Sequence, residues 1–343
     1  MSQRAPNEPE EPSPMNQNSK FRVFITGSGI APEAQQLLRV ENCVFETGTP
    51  KDSSDEIAAK LKIFNPDALI VRQGKITESV LNAASNLKAV CKHGVGTDNI
   101  DIEAATRTNI PIFYTPNANF EAVATHTFAL MMSLIRNIPS QDNRIRNGIF
   151  DKAGYSGQEL QGKTLGLIGF GKVGRRLSEM VAPFQMKVLA YHPSTSNETL
   201  ASHITETHNI NEVISQADIL SLHCPLVPET KHIIDKHSFA KMKKGAYLIN
   251  TARGGIINET DLLTALKEEL IGGAALDVFE IEPPSEDNPL LQQNNIILTT
   301  HIAGSSDNSL KNMGIEAVQH VLSVLKGEPA DTSSMKNKEV LFD

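Results

Sequence analysis

Cysteine, positive charge and long apolar runs are all scarce in this 343-residue chain, and each scarcity excludes something. Three cysteines, Cys43, Cys91 and Cys224, are scattered without a CxxC pair. That spacing excludes a disulfide framework and a cysteine-based zinc site, so no metal is expected and the thiols read as reduced, as in a cytoplasmic protein. Cys91 and Cys224 fall in apolar, strand-like runs and read as small core hydrophobes. No apolar run approaches the length of a membrane span. The opening MSQRAPNEPEEPSPMNQNSK has no apolar stretch, so neither a signal peptide nor an anchor is expected, and residues 1–19 read as a disordered tail. With 32 Lys and Arg against 40 Asp and Glu, the net charge of -8 opposes non-specific binding to nucleic acid, which needs cations to replace counterions.

What is present is the composition of a globular protein, 40% hydrophobic and 21% charged, long enough for two domains. Regular structure begins at Phe21. FRVFIT reads as a strand, and Pro32 suits the first turn of the helix after it. SSDEIAAKLKIF, ALIVR, ITESVLNAASNL, LKAVCKHG, IDIEAATRT and IPIFYTP then alternate amphipathic helices with short apolar strands, the pattern of a parallel sheet covered by helices. A long helix is predicted within 119–137, apolar over most of its circumference from Phe128 to Ile135, and so buried in a core or against a second copy. A polar loop with Gly148, Gly154 and Gly157 follows. A second series starts at Lys163, with strands TLGLIGF, MKVLAYH, ADILSLHCP, AYLINTA, GGAALDVF and NIILTTH and mostly helical text between them. Six strands complete a dinucleotide fold.

Gly169-Phe170-Gly171-Lys172-Val173-Gly174 fits G-x-G-x-x-G between such a strand and a helix, the context that gives the motif weight. The first glycine makes the tight turn, the second admits a pyrophosphate, and the third packs helix on strand. The fold also expects an acid at the end of its second strand for the adenosine ribose. Here that position holds His192, followed by Pro193, Ser194, Thr195 and Ser196, with no carboxylate before Glu198. A histidine would not repel a 2′-phosphate, so both NAD and NADP remain open as cofactor.

Three residues at predicted strand ends suit hydride exchange with a 2-keto acid. Arg253, in NTARGG, can fork onto a carboxylate. His301, after NIILTT, can give a proton to the carbonyl oxygen. Glu282, after LDVFEI, can stabilise the imidazolium. Each also has an ordinary explanation taken singly: an ion-paired arginine, an exposed loop charge, a capping histidine.

Together, LGLIGFGKVG, NTARGG, LDVFEIEPP and HIAGS resemble the D-isomer-specific 2-hydroxyacid dehydrogenase family, with Glu282 29 residues beyond Arg253 and His301 19 beyond Glu282. KHGVGTDNIDIEAATRTNIPIFYTPNANFEAVATHTFALMMSLIRN extends the resemblance through the first half, to cover about 21–327. It is most similar to the phosphoglycerate dehydrogenase branch, in a short form without a regulatory domain. The resemblance implies an α/β architecture of two doubly wound parallel-sheet domains, a Rossmann nucleotide-binding domain (118–304) inserted into a flavodoxin-like substrate-binding domain (20–117 and 305–343). It implies a homodimer. It also implies roles: Arg253 for the substrate carboxylate and carbonyl, His301 as general acid and base, Glu282 as its partner. Val95 and Gly96 would meet the carboxylate, with Val95 near the nicotinamide. Lys172 and Val173 would lie at the pyrophosphate, Cys224 and Pro225 at the adenine side, and Thr251, Ala252 and Arg253 along the nicotinamide ribose. Asp277 would hold the carboxamide, and His301 and Gly304 would border the cofactor. Strict NAD preference is put in doubt by His192, where the family commonly has aspartate.

Arg72, Lys75 and Lys92 are candidates to bind a distal phosphate on the substrate; without them a smaller acid such as glyoxylate or hydroxypyruvate is favoured. A rival reading is a dinucleotide-sensing corepressor-like protein that uses the same fold to recruit partners. Keeping Arg253, Glu282 and His301 together argues against it. A formate-type dehydrogenase would need glutamine at Glu282.

Overall fold

A computed structural model describes residues 20–193 and 199–341. The expected tail and Ser194, Thr195, Ser196 and Glu198 lie outside the described residues. The chain forms two compact units, one from residues up to 118 with 310 onward, the other from 119–309.

The first unit holds a five-stranded parallel sheet: β1 (Phe21–Ile25), β2 (Cys43–Thr47), β3 (Ala68–Val71), β4 (Ala89–Lys92) and β5 (Ile112–Phe113), in the order β2-β1-β3-β4-β5. That is a flavodoxin-like order, with its reversal between β1 and β3. β3 is buried at every position because helices cover both faces, so the apolar run is continuous rather than alternating. Apolar layers line the two sides, one around Val23, Ile25 and Val318, the other around Phe24, Leu61 and Leu69.

The second unit holds seven parallel strands: β6 (Thr164–Ile168), β7 (Lys187–Tyr191), β8 (Ile204–Thr207), β9 (Ile219–Leu222), β10 (Tyr247–Asn250), β11 (Gly273–Leu276) and β12 (Ile296–Leu298). Their order is β12-β11-β10-β9-β6-β7-β8, the Rossmann arrangement with one strand more than the sequence suggests. The reversal lies between β6 and β9, where open α/β sheets bind ligands beyond the strands' carboxyl ends. The helix Phe120–Ile135 packs Leu130, Met131 and Leu134 on Leu165, Leu167 and Ile249 of this sheet, while Phe128 and Met132 stay half-buried.

Four elements differ from the sequence reading. β8 is an edge strand whose text, ITET, buries no residue and has a single apolar one, so it lacks a strand's apolar signature. β2, also at an edge, is passed over for the same reason. The supposed polar loop contains the helix Ile138–Arg146, which buries no residue and so shows no apolar periodicity. The helix predicted from ITESVLNAASNL contracts to Glu78–Leu81. Cys224, read as part of a strand, lies just past β9 and is only partly buried. Among the described residues no helix is long and apolar enough to cross a membrane.

Candidate active site

The glycine loop leaves β6 at its carboxyl end, and its three glycines do three different things. Gly169 has φ +99°, and a Cβ there would fall 2.6 Å from the carbonyl carbon of His223 and 2.8 Å from the nitrogen of Cys224. The β6 and β9 exits therefore touch backbone to backbone, which brings Cys224 and Pro225 beside the loop. Gly174 faces the carbonyl of Gly169, 2.7 Å from where a Cβ would lie, so the helix Lys172–Val181 packs tightly against the strand. Gly171 is the exception: a Cβ there would meet nothing within 4 Å. It caps the helix N-terminus, where the helix dipole and the first-turn N–H groups favour a pyrophosphate, so the cradle fits a dinucleotide. Lys172 is exposed beside it and Val173 half-buried. Gly171 has an ordinary φ of -82°. We therefore predict that Gly171→Ala leaves the thermal midpoint unchanged yet weakens dinucleotide binding by about tenfold or more, through lost close approach to the pyrophosphate. Unchanged affinity in a fluorescence titration would refute this.

His192 follows β7, partly buried; its carbonyl contacts His208 Nδ1 at 2.9 Å. His223 hydrogen-bonds Ser221 at 2.9 Å, and burial pushes it down to about 4, so it is neutral at physiological pH.

Beyond β10, β11 and β12 lie the three residues proposed for the chemistry, and two of them, His301 and Glu282, are in direct contact. His301 Nδ1 lies 2.7 Å from Glu282 Oε2, and Glu282 Oε1 accepts from Phe279 N–H at 3.1 Å. Partial burial alone would raise the Glu282 carboxyl. The hydrogen bond and charge of His301, the Phe279 N–H and the charge of Arg253 more than offset it and hold the group below its ordinary value. Of these effects the charge of Arg253 is the smallest. A carboxyl with a depressed pKa is ionised at neutrality. The stability it confers is present above the ordinary carboxylate range and is lost as pH falls through the depressed value. The Arg253 guanidinium donates to the Ala252 carbonyl at 2.6 Å, and Asn250 braces the loop by donating to the Arg253 carbonyl and accepting from Ala252 N–H. Thr251 is buried against Thr127, 2.9 Å between hydroxyls.

His301 adopts φ +55°, unusual for a residue with a Cβ. Asp277, fully buried, holds it there. The Asp277 carbonyl accepts from His301 N–H at 2.8 Å. Its carboxylate accepts from Thr299 at 2.6 Å and from the N–H groups of Ile302 and Ala303 at 2.8 Å each. His126, from the helix Phe120–Ile135, reaches Thr299 Oγ1 at 3.2 Å. His126 and Thr299 escaped the sequence reading. The available signal was a lone histidine on an apolar helix and a threonine two residues before His301. Gly304 follows, its carbonyl accepting from Ser309.

The remaining candidates belong to the first unit, at the carboxyl ends of its strands. Val95, after β4, is exposed and Gly96 half-buried. Arg72 donates to the hydroxyl of Ser28 at 2.8 Å and to the carbonyl of Gly29, which ties the exits of β3 and β1 together. Lys92 donates to Asn99 at 3.0 Å, while Lys75 is exposed. Between Lys92 and Val95, His93 is buried; that burial and the charge of Arg72 push it down to about 4, so it is no cation.

Comparison with known proteins identifies the family. Residues 128–303 match the profile of the D-isomer specific 2-hydroxyacid dehydrogenase, NAD binding domain. The chain is 42% identical to D-3-phosphoglycerate dehydrogenase of Methanocaldococcus jannaschii over 90% of its own length, but spans only 58% of that protein. It is 38% identical to hydroxypyruvate reductase of Thermotoga maritima, covering 90% of this chain and 99% of that one. Among solved structures, an acyclic imino acid reductase in complex with NADPH and D-Arg superposes with a TM-score of 0.79 at 27% identity, over 92% of this chain and 99% of the other.

Proposed function

Because the chain belongs to the D-isomer specific 2-hydroxyacid dehydrogenase family, we propose that it exchanges a hydride between NAD(P)(H) and a small D-2-hydroxy acid or its 2-keto acid. The observation that carries the proposal is the His301–Glu282 pair at 2.7 Å, with the charge of Arg253 felt at the same carboxylate. A corepressor would need none of these three groups, and nothing in the comparisons favours one.

Gly169, Gly171, Lys172, Val173 and Gly174 would hold the pyrophosphate, and His192 the adenosine ribose. Thr251, Ala252, Asp277 and Gly304 would border the nicotinamide half, with Cys224 and Pro225 at the adenine side. A nicotinamide bound there would supply or accept the hydride. Arg253 fixes the substrate carboxylate and polarises the carbonyl. With Nδ1 engaged by Glu282, the His301 imidazolium is oriented to donate its Nε2 proton to the carbonyl oxygen, and it takes the proton back in the reverse direction. Glu282 stabilises that cation and keeps the ring from rotating.

Residues 20–117 and 305–343 serve as the substrate-binding domain, with Val95 and Gly96 offering backbone to the carboxylate. Arg72, Lys75 and Lys92 are the groups suited to a distal phosphate, which makes a phosphorylated acid one substrate class and glyoxylate or hydroxypyruvate the other. The half-buried Phe128 and Met132 suit a homodimer, and the reduced thiols suit the cytoplasm.

The deciding experiment is a panel of 2-keto acids, with and without phosphate, assayed by absorbance with NADH and with NADPH. Absence of turnover throughout would end the proposal. In the same assay, His192→Asp should shift the ratio of kcat/KM values toward NADH by about tenfold, since a carboxylate repels the 2′-phosphate and binds the ribose hydroxyls. A ratio that does not move would remove His192 from cofactor choice.

A further inference from the structure

We propose that His232 and Glu280 form a second imidazole–carboxylate pair that clamps the Arg253 loop to the Glu282 loop, making His232 a positioning residue for the substrate carboxylate. This rests on the reading of Arg253 given above.

The need for a clamp follows from how the two loops meet. Arg253 is followed by Gly254, which is buried, and a Cβ there would fall 1.9 Å from the carbonyl carbon of Phe279 and 2.3 Å from the nitrogen of Glu280. The loops leaving β10 and β11 thus meet backbone on backbone at that point. Such a contact resists approach but not sliding, and sliding would move Arg253 relative to Glu282.

His232 grips both loops at once. Its N–H donates to the Gly255 carbonyl at 2.9 Å, which ties it to the Arg253 loop. Its Nε2 lies 2.8 Å from Glu280 Oε1, on the Glu282 loop. Glu280 is itself braced: its N–H donates to Glu259 Oε1 at 2.7 Å, and its Oε1 accepts from Glu259 N–H at 3.2 Å. Glu259 is held in turn by Asn288 Nδ2 at 3.3 Å. The chain of contacts runs from the loop after β9, across the β10 loop, to both sides of the β11 loop.

The backbone argues that the side chain matters. His232 has φ +52°, a conformation that glycine adopts at least cost. A histidine held there is strained, and strain of this kind gathers where a side chain is used. About a third of each partner is exposed, so the pair is a weak source of global stability. Its effect falls on placement, where small displacements have large kinetic consequences.

The test uses His232→Gly, which keeps the backbone conformation and deletes the imidazole, and His232→Gln, which returns a donor for Glu280. In His232→Gly the KM for the 2-keto acid should rise about tenfold, with the dissociation constant for reduced dinucleotide, read by its fluorescence, changed by less than about twofold. His232→Gln should recover most of the loss, which a merely structural role would not predict. Hydrogen exchange on the full chain should quicken by about tenfold at 253–257 and 279–282 in His232→Gly and stay unchanged elsewhere. Unchanged exchange in those loops overturns the clamp, as does quickening throughout the chain. An unchanged KM overturns the positioning role. If the wild-type chain reduces no 2-keto acid, the activity reading fails by itself, and the exchange result still decides the clamp.

Discussion

With asparagine in place of His301, turnover of a 2-keto acid should fall by about three orders of magnitude while the reduced dinucleotide binds as before. Asparagine is the informative replacement because His301 has φ +55°, and asparagine tolerates that region better than most residues. The backbone held by Asp277 therefore stays in place, and the loss reports on the imidazole alone. The asparagine amide can still hydrogen-bond Glu282, but it has no proton to release near neutral pH. Solvent is left as a poorly placed donor. The measurement is single-turnover absorbance alongside dinucleotide fluorescence. A kcat within about tenfold of wild type would show that another group protonates the carbonyl, and the role assigned to His301 would fall.

The three proposed catalytic residues were legible as a group because they follow three neighbouring parallel strands, β10, β11 and β12, and a parallel sheet brings such exits to one edge. Strand order then converts separations of 29 and 19 residues into neighbourhood. The glycine loop was legible for a similar reason, as each of its glycines answers a local steric demand. The groups around the three proposed residues were not. Asp277 and Thr299 are joined by a side-chain hydrogen bond across 22 residues, and His126 meets Thr299 across 173. His232 and Glu280 belong to different strand exits, and no spacing rule links them. Supporting contacts depend on rotamers and loop paths, which leave no periodic trace. The edge strand β8 and the fully surface-borne helix Ile138–Arg146 were missed because hydrophobic pattern is the signal, and neither element buries enough to write it.

Arg253→Ala should produce the larger defect in kcat/KM, about four orders of magnitude, because one guanidinium serves two stages of the reaction. Loss of the fork onto the carboxylate weakens ground-state binding, and loss of charge beside the carbonyl oxygen removes stabilisation that grows only in the transition state. Arg253→Lys should recover part of the second contribution and little of the first, since an ammonium restores charge without the planar pair of donors. The arginine has a further consequence through Glu282, whose carboxyl it helps to hold below the ordinary value. In Arg253→Ala that carboxyl should titrate at higher pH, so the acid limb of the pH profile of kcat/KM should move upward. In Arg253→Lys the limb should remain close to wild type. A limb that stays fixed in the alanine variant would mean that Arg253 and Glu282 do not act on one another in the working enzyme. The charge that reaches Glu282 in the structure would then have no part in keeping the His301 partner ionised.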